Sequence, residues 1–110
     1  MGWKDRLGHR RPGTTRVGRD DELAHLEAFA GSRRGVEGFV EPETPTTTTT
    51  LVLVAGDGEW TRRRVPSPRA AFDLGRRLGL PVYDVAAVGY PPRMRAWTAA
   101  RKAAGETRAT

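Results

Sequence analysis

The residues most able to do chemistry in this sequence are arginines that lie close to aromatic side chains. The arginines are consecutive at one place and separated by one residue at another: Arg62, Arg63, Arg64, Arg93 and Arg95. A guanidinium group is planar, permanently charged and suited to phosphate, and a tryptophan such as Trp60 can stack on a base. This pattern predicts contact with nucleic acid or with an acidic protein surface. The alternative is that these arginines only keep the protein soluble and form ion pairs within the fold.

A second group of candidate binding residues comes from the region of the last predicted strand. Tyr83 and Asp84 lie on that strand, and Tyr90 follows shortly after it. In open α/β sheets, ligands bind at the carboxyl ends of strands. The alternative interpretation is that Tyr83 belongs to the core and that Asp84 pairs with an arginine such as Arg62 or Arg64.

Several other chemistries lack the residues that they need. The chain has no cysteine, which excludes disulfides, thiolate nucleophiles and cysteine metal sites. His9 and His25 are the only histidines, the first in the N-terminal segment and the second outside the apolar face of a predicted helix. The 56–58 Gly-Asp-Gly segment begins like a dinucleotide fingerprint, but a strand is predicted where the phosphate would need a helix. We therefore predict no cofactor and no metal, and the sequence assigns no catalytic residue.

Charge is distributed unevenly along the chain. Basic residues outnumber acids by six to one over 1–19 and by eleven to three over 60–110, whereas 20–59 has two basic residues against nine acids. Such a layout favours contact with a polyanion, or docking of oppositely charged parts of the chain on each other. No apolar run is long enough for a membrane span, and the N-terminus lacks the apolar region of a secretory signal. We predict a cytoplasmic protein without membrane contact.

The elements that must position these residues can be predicted from local patterns. The predicted organisation is a disordered basic tail over 1–18, one α/β domain over 19–105 and a loose C-terminus over 106–110. Helices are predicted over 20–30, 68–78 and 92–104, and strands over 46–55, 59–65 and 80–88, with a weaker strand over 36–40. Ser67, Pro68 and Gly79 are typical start and stop residues of a helix.

The order of these elements indicates the fold class. The Leu-Val-Leu-Val run at 51–54 is apolar on both faces, which predicts a central strand covered on both sides. An Asp-Gly turn at 57–58 joins it to the next strand as an antiparallel hairpin. The following helix and strand indicate a β-α-β crossover to a parallel neighbour. The predicted fold is α/β (α+β), a small mixed sheet covered by two to three helices in the order α-(β)-β-β-α-β-α.

Four segments together carry a resemblance to a known group of proteins. They read GVEGFVEP at 35–42, DGEWTRRR at 57–64, PVYDV at 81–85 and VGYPPRMR at 88–95. In these segments the chain resembles small actinobacterial proteins of unknown function, which often carry the label "oxidoreductase". The resemblance covers roughly residues 20–100 and implies that label, but it brings no catalytic residue with it. Pro92 stands where the group would have glutamine.

Three functional hypotheses follow from the sequence. The leading one is a small basic accessory domain that contacts nucleic acid or a ribonucleoprotein through its arginines. The second is a protein-interaction module with Trp60 or Trp97 as an exposed anchor. The third is the oxidoreductase that the resemblance implies.

Overall fold

Residues 14–105 are described by a computed structural model, in which a four-stranded sheet carries helices on both faces. The predicted tail before residue 14 and the loose end after residue 105 lie outside the described residues. The elements are α1 Thr14–Ser32, β1 Glu37–Glu41, β2 Thr50–Val54, β3 Trp60–Arg64, α2 Pro68–Leu78, β4 Val82–Asp84, α3 Val85–Val88 and α4 Pro92–Ala103. The predicted α+β class is therefore confirmed. Among the described residues, no helix is both long enough and apolar enough to cross a membrane.

The sheet has the strand order β3-β2-β1-β4. Strand β2 is antiparallel to both of its neighbours, and β1 is parallel to β4. The four apolar residues of β2, Leu51 to Val54, are almost completely buried, so the predicted central strand is confirmed. Leu51 and Leu53 join the core on one face of the sheet, and Val52 and Val54 join the core on the other.

The two faces of the sheet are covered unequally. On the first face, α1 contributes Leu26 and Phe29 to the core, and α2 contributes Ala71 and Leu74. On the second face, the core is small: Phe39, Val52, Val54 and Met94, with Trp60 and Val85 packed against it. Only Met94 of this second core comes from α4, so apolar packing contributes little to the attachment of this helix to the sheet.

Local signals set the ends of α2 as predicted. The hydroxyl of Ser67 accepts a hydrogen bond from the Ala70 amide at 3.1 Å, and Pro68 occupies the first turn. Gly79 adopts the left-handed conformation with φ 73° and closes the C-terminus. The helix therefore begins and ends at residues whose types favour those positions.

Several predicted boundaries differ from the structure. Helix α1 begins at Thr14 instead of residue 20, so residues 14–18, which were assigned to the tail, are helical. Strand β2 begins at Thr50 instead of residue 46, and a turn formed by Thr44 to Thr47 precedes it. In that turn the Thr44 hydroxyl accepts hydrogen bonds from the amides of Thr46 and Thr47 at 3.3 and 3.0 Å. Hydroxyl side chains can compete with a sheet for backbone groups in this way.

The predicted strand over 80–88 is also shorter than expected. Strand β4 ends at Asp84, whose carboxylate accepts a hydrogen bond from the Ala86 amide at 2.9 Å and caps α3. A capped turn of helix therefore replaces the second half of the predicted strand.

The crossover prediction was wrong about the partner of β4. Strands β3 and β4 run in the same direction, but β2 and β1 lie between them, and β4 pairs with β1. Strand β1 was predicted only weakly because it contains Gly38. A Cβ at this position would lie 3.0 Å from Val82 and 3.2 Å from Leu51, so the glycine allows close packing inside the sheet. The charged strand β3 remains at the edge, where arginines can reach solvent.

Candidate anion-binding site

Strand β3 presents its three arginines at an edge of the sheet. Because side chains alternate along a strand, Arg63 lies on the α1 side, and Trp60 and Arg62 lie on the α4 side. The side chains of Arg62, Arg63 and Arg64 are 43, 40 and 70% exposed. The predicted alternation of guanidinium groups across this strand therefore supplies charge to both faces at one edge.

Arg62 is held by a carboxylate at the end of β1. Its Nε and Nη2 atoms donate to Glu41 at 2.8 and 2.9 Å, and its guanidinium lies 5.2 Å from the Trp60 ring centre. Glu41 also accepts hydrogen bonds from the Thr50 hydroxyl at 2.5 Å and from the Tyr90 hydroxyl. Burial alone would raise the pKa of Glu41, but these hydrogen bonds outweigh it and lower the pKa. Glu41 therefore stays ionised and fixes the direction of Arg62.

Arg63 and Arg64 share a single carboxylate on α1. Their Nε atoms lie 3.3 and 3.1 Å from the two oxygens of Glu22. Arg63 also donates to the carbonyl of the preceding residue at 2.9 Å, and its Nη2 lies 3.4 Å from Nδ1 of His25. His25 Nε2 is 2.6 Å from the Thr61 hydroxyl, which ties α1 to β3. Burial, followed by the charge of Arg63, lowers the pKa of His25, so the imidazole is neutral at neutral pH.

These side chains surround an open depression. Its volume is about 380 Å³, and its lining residues are Glu22, Thr50, Arg62, Arg63 and Arg64. The lining contains three cations and one carboxylate, and Glu41 supplies a second carboxylate to Arg62. Arg64 makes a single contact, so its Nη atoms have no acceptor among the described residues. The depression can therefore bind an anion without breaking every existing ion pair.

Arg93 has a structural position. Its Nε donates to the Ala55 carbonyl at 2.8 Å, and its Nη2 donates to Glu37 at 2.8 Å and to the Val54 carbonyl at 3.3 Å. These bonds attach the N-terminus of α4 to the sheet. Arg93 lies away from the β3 depression, and its guanidinium is turned towards the protein.

Of the other predicted candidates, Tyr83, Tyr90 and Arg95 lie on the α4 side of the sheet, and Asp84 lies at the end of β4. The Tyr83 ring is 5.6 Å from the ring of Phe39, so this tyrosine is part of the packing although it is partly exposed. Asp84 caps α3, and the carboxylates found beside Arg62 and Arg64 are those of Glu41 and Glu22. Arg95 is exposed and lines a shallow groove together with Tyr90.

The tryptophans proposed as anchors are both half-buried. Trp60 donates from Nε1 to the Thr98 hydroxyl at 2.9 Å, which joins β3 to α4. The Arg101 guanidinium lies 4.7 Å from the ring centre of Trp97. Neither ring is among the exposed large hydrophobic residues of the described chain.

Ion pairing within the fold takes up much of the acidic middle segment. Within the described part of this segment, the carboxylates that pair with arginines are Glu22, Glu27, Glu37, Glu41 and Glu59. Some arginines therefore form ion pairs within the fold, as the alternative interpretation of the arginines predicts. Examples are Arg33 with Glu59 and Arg77 with Glu27. Sequence reasoning missed the roles of Glu22, Glu41 and Thr50 in the site. The one available signal was the excess of acids before the arginine-rich segment.

Residues 20–105 bring no three histidine, aspartate or glutamate side chains together in a group that could hold a metal ion. Compared with models of protein families, with curated proteins and with solved structures, the chain has no significant match.

Proposed function

We propose that the protein is a small binding domain that contacts nucleic acid through the arginines of β3. The observation that carries this proposal is the depression in which Arg62, Arg63 and Arg64 converge while the Nη donors of Arg64 meet no acceptor within the described part of the chain. Guanidinium groups bind phosphate oxygens through paired, charge-assisted hydrogen bonds. The cysteine-free sequence is compatible with the reducing cytoplasm, where nucleic acid is available.

The carboxylates around the site support binding by orienting the arginines. Glu41 receives two bonds from Arg62, and Glu22 is divided between Arg63 and Arg64. A guanidinium that is already held loses less side-chain entropy when a phosphate arrives. Because the depression is open, successive phosphates of a polymer can pass along it. The net charge of +6 adds long-range attraction that does not depend on sequence.

The proposal is tested by fluorescence anisotropy with the full chain and labelled mixed-sequence RNA and DNA duplexes. Binding is measured at about 50 and 200 mM salt, because phosphate contacts weaken steeply with salt. The Arg64→Ala variant removes one exposed guanidinium and leaves Glu22 paired with Arg63. The matched control is Lys102→Ala, which removes one positive charge from the last turn of α4, outside the lining of the depression.

We expect Arg64→Ala to weaken binding roughly three- to tenfold at the lower salt. For the DNA duplex, the slope of log affinity against log salt should become less steep by about 0.9, the value for one phosphate contact. Lys102→Ala should change affinity less than about twofold. Equal losses in both variants would mean that the charge of the whole chain binds, and absence of binding at the lower salt would contradict the proposal. Thermal denaturation of each variant verifies that it is folded.

A further inference from the structure

A second surface lies on the α4 side of the sheet, where the cover is thin. Helix α4 buries only Met94, and α3 buries no residue. The exposed large hydrophobic residues of the described chain are Leu23, Tyr83, Val88 and Tyr90, and the last three come from β4, α3 and the segment before α4. Val88 is the most exposed of them at 58%. This side of the sheet therefore carries a cluster of apolar groups in solvent.

The two tyrosines of this cluster are held in position by the sheet. Tyr83 packs on Phe39, and the Tyr90 hydroxyl donates to Glu41. Phe39 and Glu41 are two residues apart on β1, so they lie on the same face of that strand. Both tyrosine rings are therefore fixed along one side of the sheet. Fixed aromatic groups lose little conformational entropy on binding, which favours their use as contacts.

A shallow groove of about 230 Å³ lies beside these rings. Its lining residues are Tyr90, Pro91, Met94, Arg95 and Thr98. Met94 is buried in the second core and forms an apolar floor, while Arg95 is exposed. The groove joins an apolar surface to a cation on α4.

The helices on this side carry charges of one sign, and the acids Glu37 and Glu41 of β1 are paired with Arg93 and Arg62. Residues 85–105 contain four basic residues and no acid. Arg93 is already paired with Glu37. Arg95 and Lys102 are seven residues apart, which places them on the same side of α4, and neither has a carboxylate partner among the described residues. The apolar groups are therefore bordered by two positive charges that the described residues do not neutralise.

We infer that this surface docks an acidic, amphipathic segment of another protein. The surface, termed the α4 face, consists of Tyr83, Val88, Tyr90, Met94, Arg95 and Lys102. A segment with apolar residues on one side and carboxylates beside them would cover the exposed rings and Val88 while pairing with both cations. Val88 is aliphatic and can neither stack on a base nor bind a phosphate, which disfavours nucleic acid here. A second copy of this chain in a two-fold arrangement would bring like charges together, which disfavours a dimer.

The test uses ¹⁵N-labelled full-length protein and synthetic peptides of about 15 residues that form amphipathic helices. The first peptide has leucine on one face and glutamate on the other. One control peptide has lysine in place of glutamate, and another has serine in place of leucine. We expect the first peptide to bind saturably below about 1 mM, with chemical-shift changes at Tyr83, Val88, Tyr90 and Arg95. Both control peptides should bind at least about tenfold more weakly.

Protein variants then locate the contact. Val88→Asp places a carboxylate on the α4 face and should weaken binding of the first peptide at least about tenfold. The matched control is Leu23→Asp, which makes the same change at an exposed leucine of α1, on the other face of the sheet. It should leave binding within about twofold. Both substituted residues are exposed, so both variants should fold.

Three results would overturn the inference. The first is no saturable binding of the first peptide, and the second is shift changes confined to β3 or to helices α1 and α2. The third is loss of RNA or DNA duplex binding in Val88→Asp, which would make the α4 face part of a nucleic-acid surface. Because the duplex assay uses Arg64 and the peptide assay uses Val88, failure of one proposal leaves the other testable.

Discussion

A methyl group added at Gly58 tests how the β2–β3 turn packs against α4. Gly58 has φ 99°, which residues with side chains rarely adopt. An alanine Cβ there would lie 2.2 Å from the Arg93 carbonyl oxygen and 2.9 Å from Cβ of Trp97. Since the closest atom belongs to the backbone of α4, no side-chain rotation can relieve the contact. The helix or the turn must move.

The expected loss of stability in Gly58→Ala has two parts. The unfavourable backbone conformation costs about 1–2 kcal/mol. Displacement of packed structure by an added methyl group costs about 1–3 kcal/mol more. The free energy of unfolding should therefore fall by about 2–5 kcal/mol, a large fraction of the roughly 5–15 kcal/mol that stabilises a typical domain.

Gly79→Ala is the matched control for this variant. Gly79 also has positive φ, at 73°, but an added Cβ would meet no atom within 4 Å. It should therefore show only the conformational part of the loss, about 1–2 kcal/mol. For a domain of this size, each kcal/mol lowers the melting temperature by about 4–8 °C, so circular dichroism can separate the two variants. Equal losses in Gly58→Ala and Gly79→Ala would refute the packing of the turn against α4.

Two further predictions concern single side chains at the interface of the sheet with the first helical layer. Thr49 is 1% exposed, and its hydroxyl has no hydrogen-bond partner among the described residues. Thr49→Val should raise the free energy of unfolding in urea by about 1 kcal/mol, and Thr49→Ser, which keeps the hydroxyl, should not. Burial lowers the pKa of His25 from its ordinary 6.5, and the nearby charges that act on it are Arg63, Glu22 and Arg33. Stability should be full above pH 6.5 and fall as the pH drops towards the folded-state pKa, because the unfolded chain binds the proton more readily. His25→Gln should remove this dependence, and an NMR titration midpoint at or above 6.5 would contradict it.

Elements with complete local signals could be predicted from the sequence. Helix α2 has its cap at Ser67, a proline in its first turn and Gly79 at its end, and each acts within a few residues. Strand β2 was predicted from an apolar run that only a central strand can bury on both sides. In both cases the sequence within one element contains the physical cause of its structure.

Features that depend on distant partners could not be predicted in this way. The pairing of β4 with β1 depends on the close packing of Gly38 against Val82, and no local pattern reveals it. The partner of Arg64 is a carboxylate 42 positions earlier in the chain. From the sequence alone, Arg93 and Arg64 are therefore equivalent candidates for binding an anion.

The structure separates these two arginines by the acceptors that each one has. Arg93 donates to two backbone carbonyls and a carboxylate, so binding a phosphate would leave buried or partly buried groups without a partner. Arg64 has one contact with Glu22, which already serves Arg63. Ion pairs at such exposure contribute about 0–1 kcal/mol to stability, so exchanging one for a phosphate contact is energetically inexpensive. The number of unused donors on each arginine, and not the number of arginines in the sequence, is therefore what favours the β3 edge as the anion-binding site.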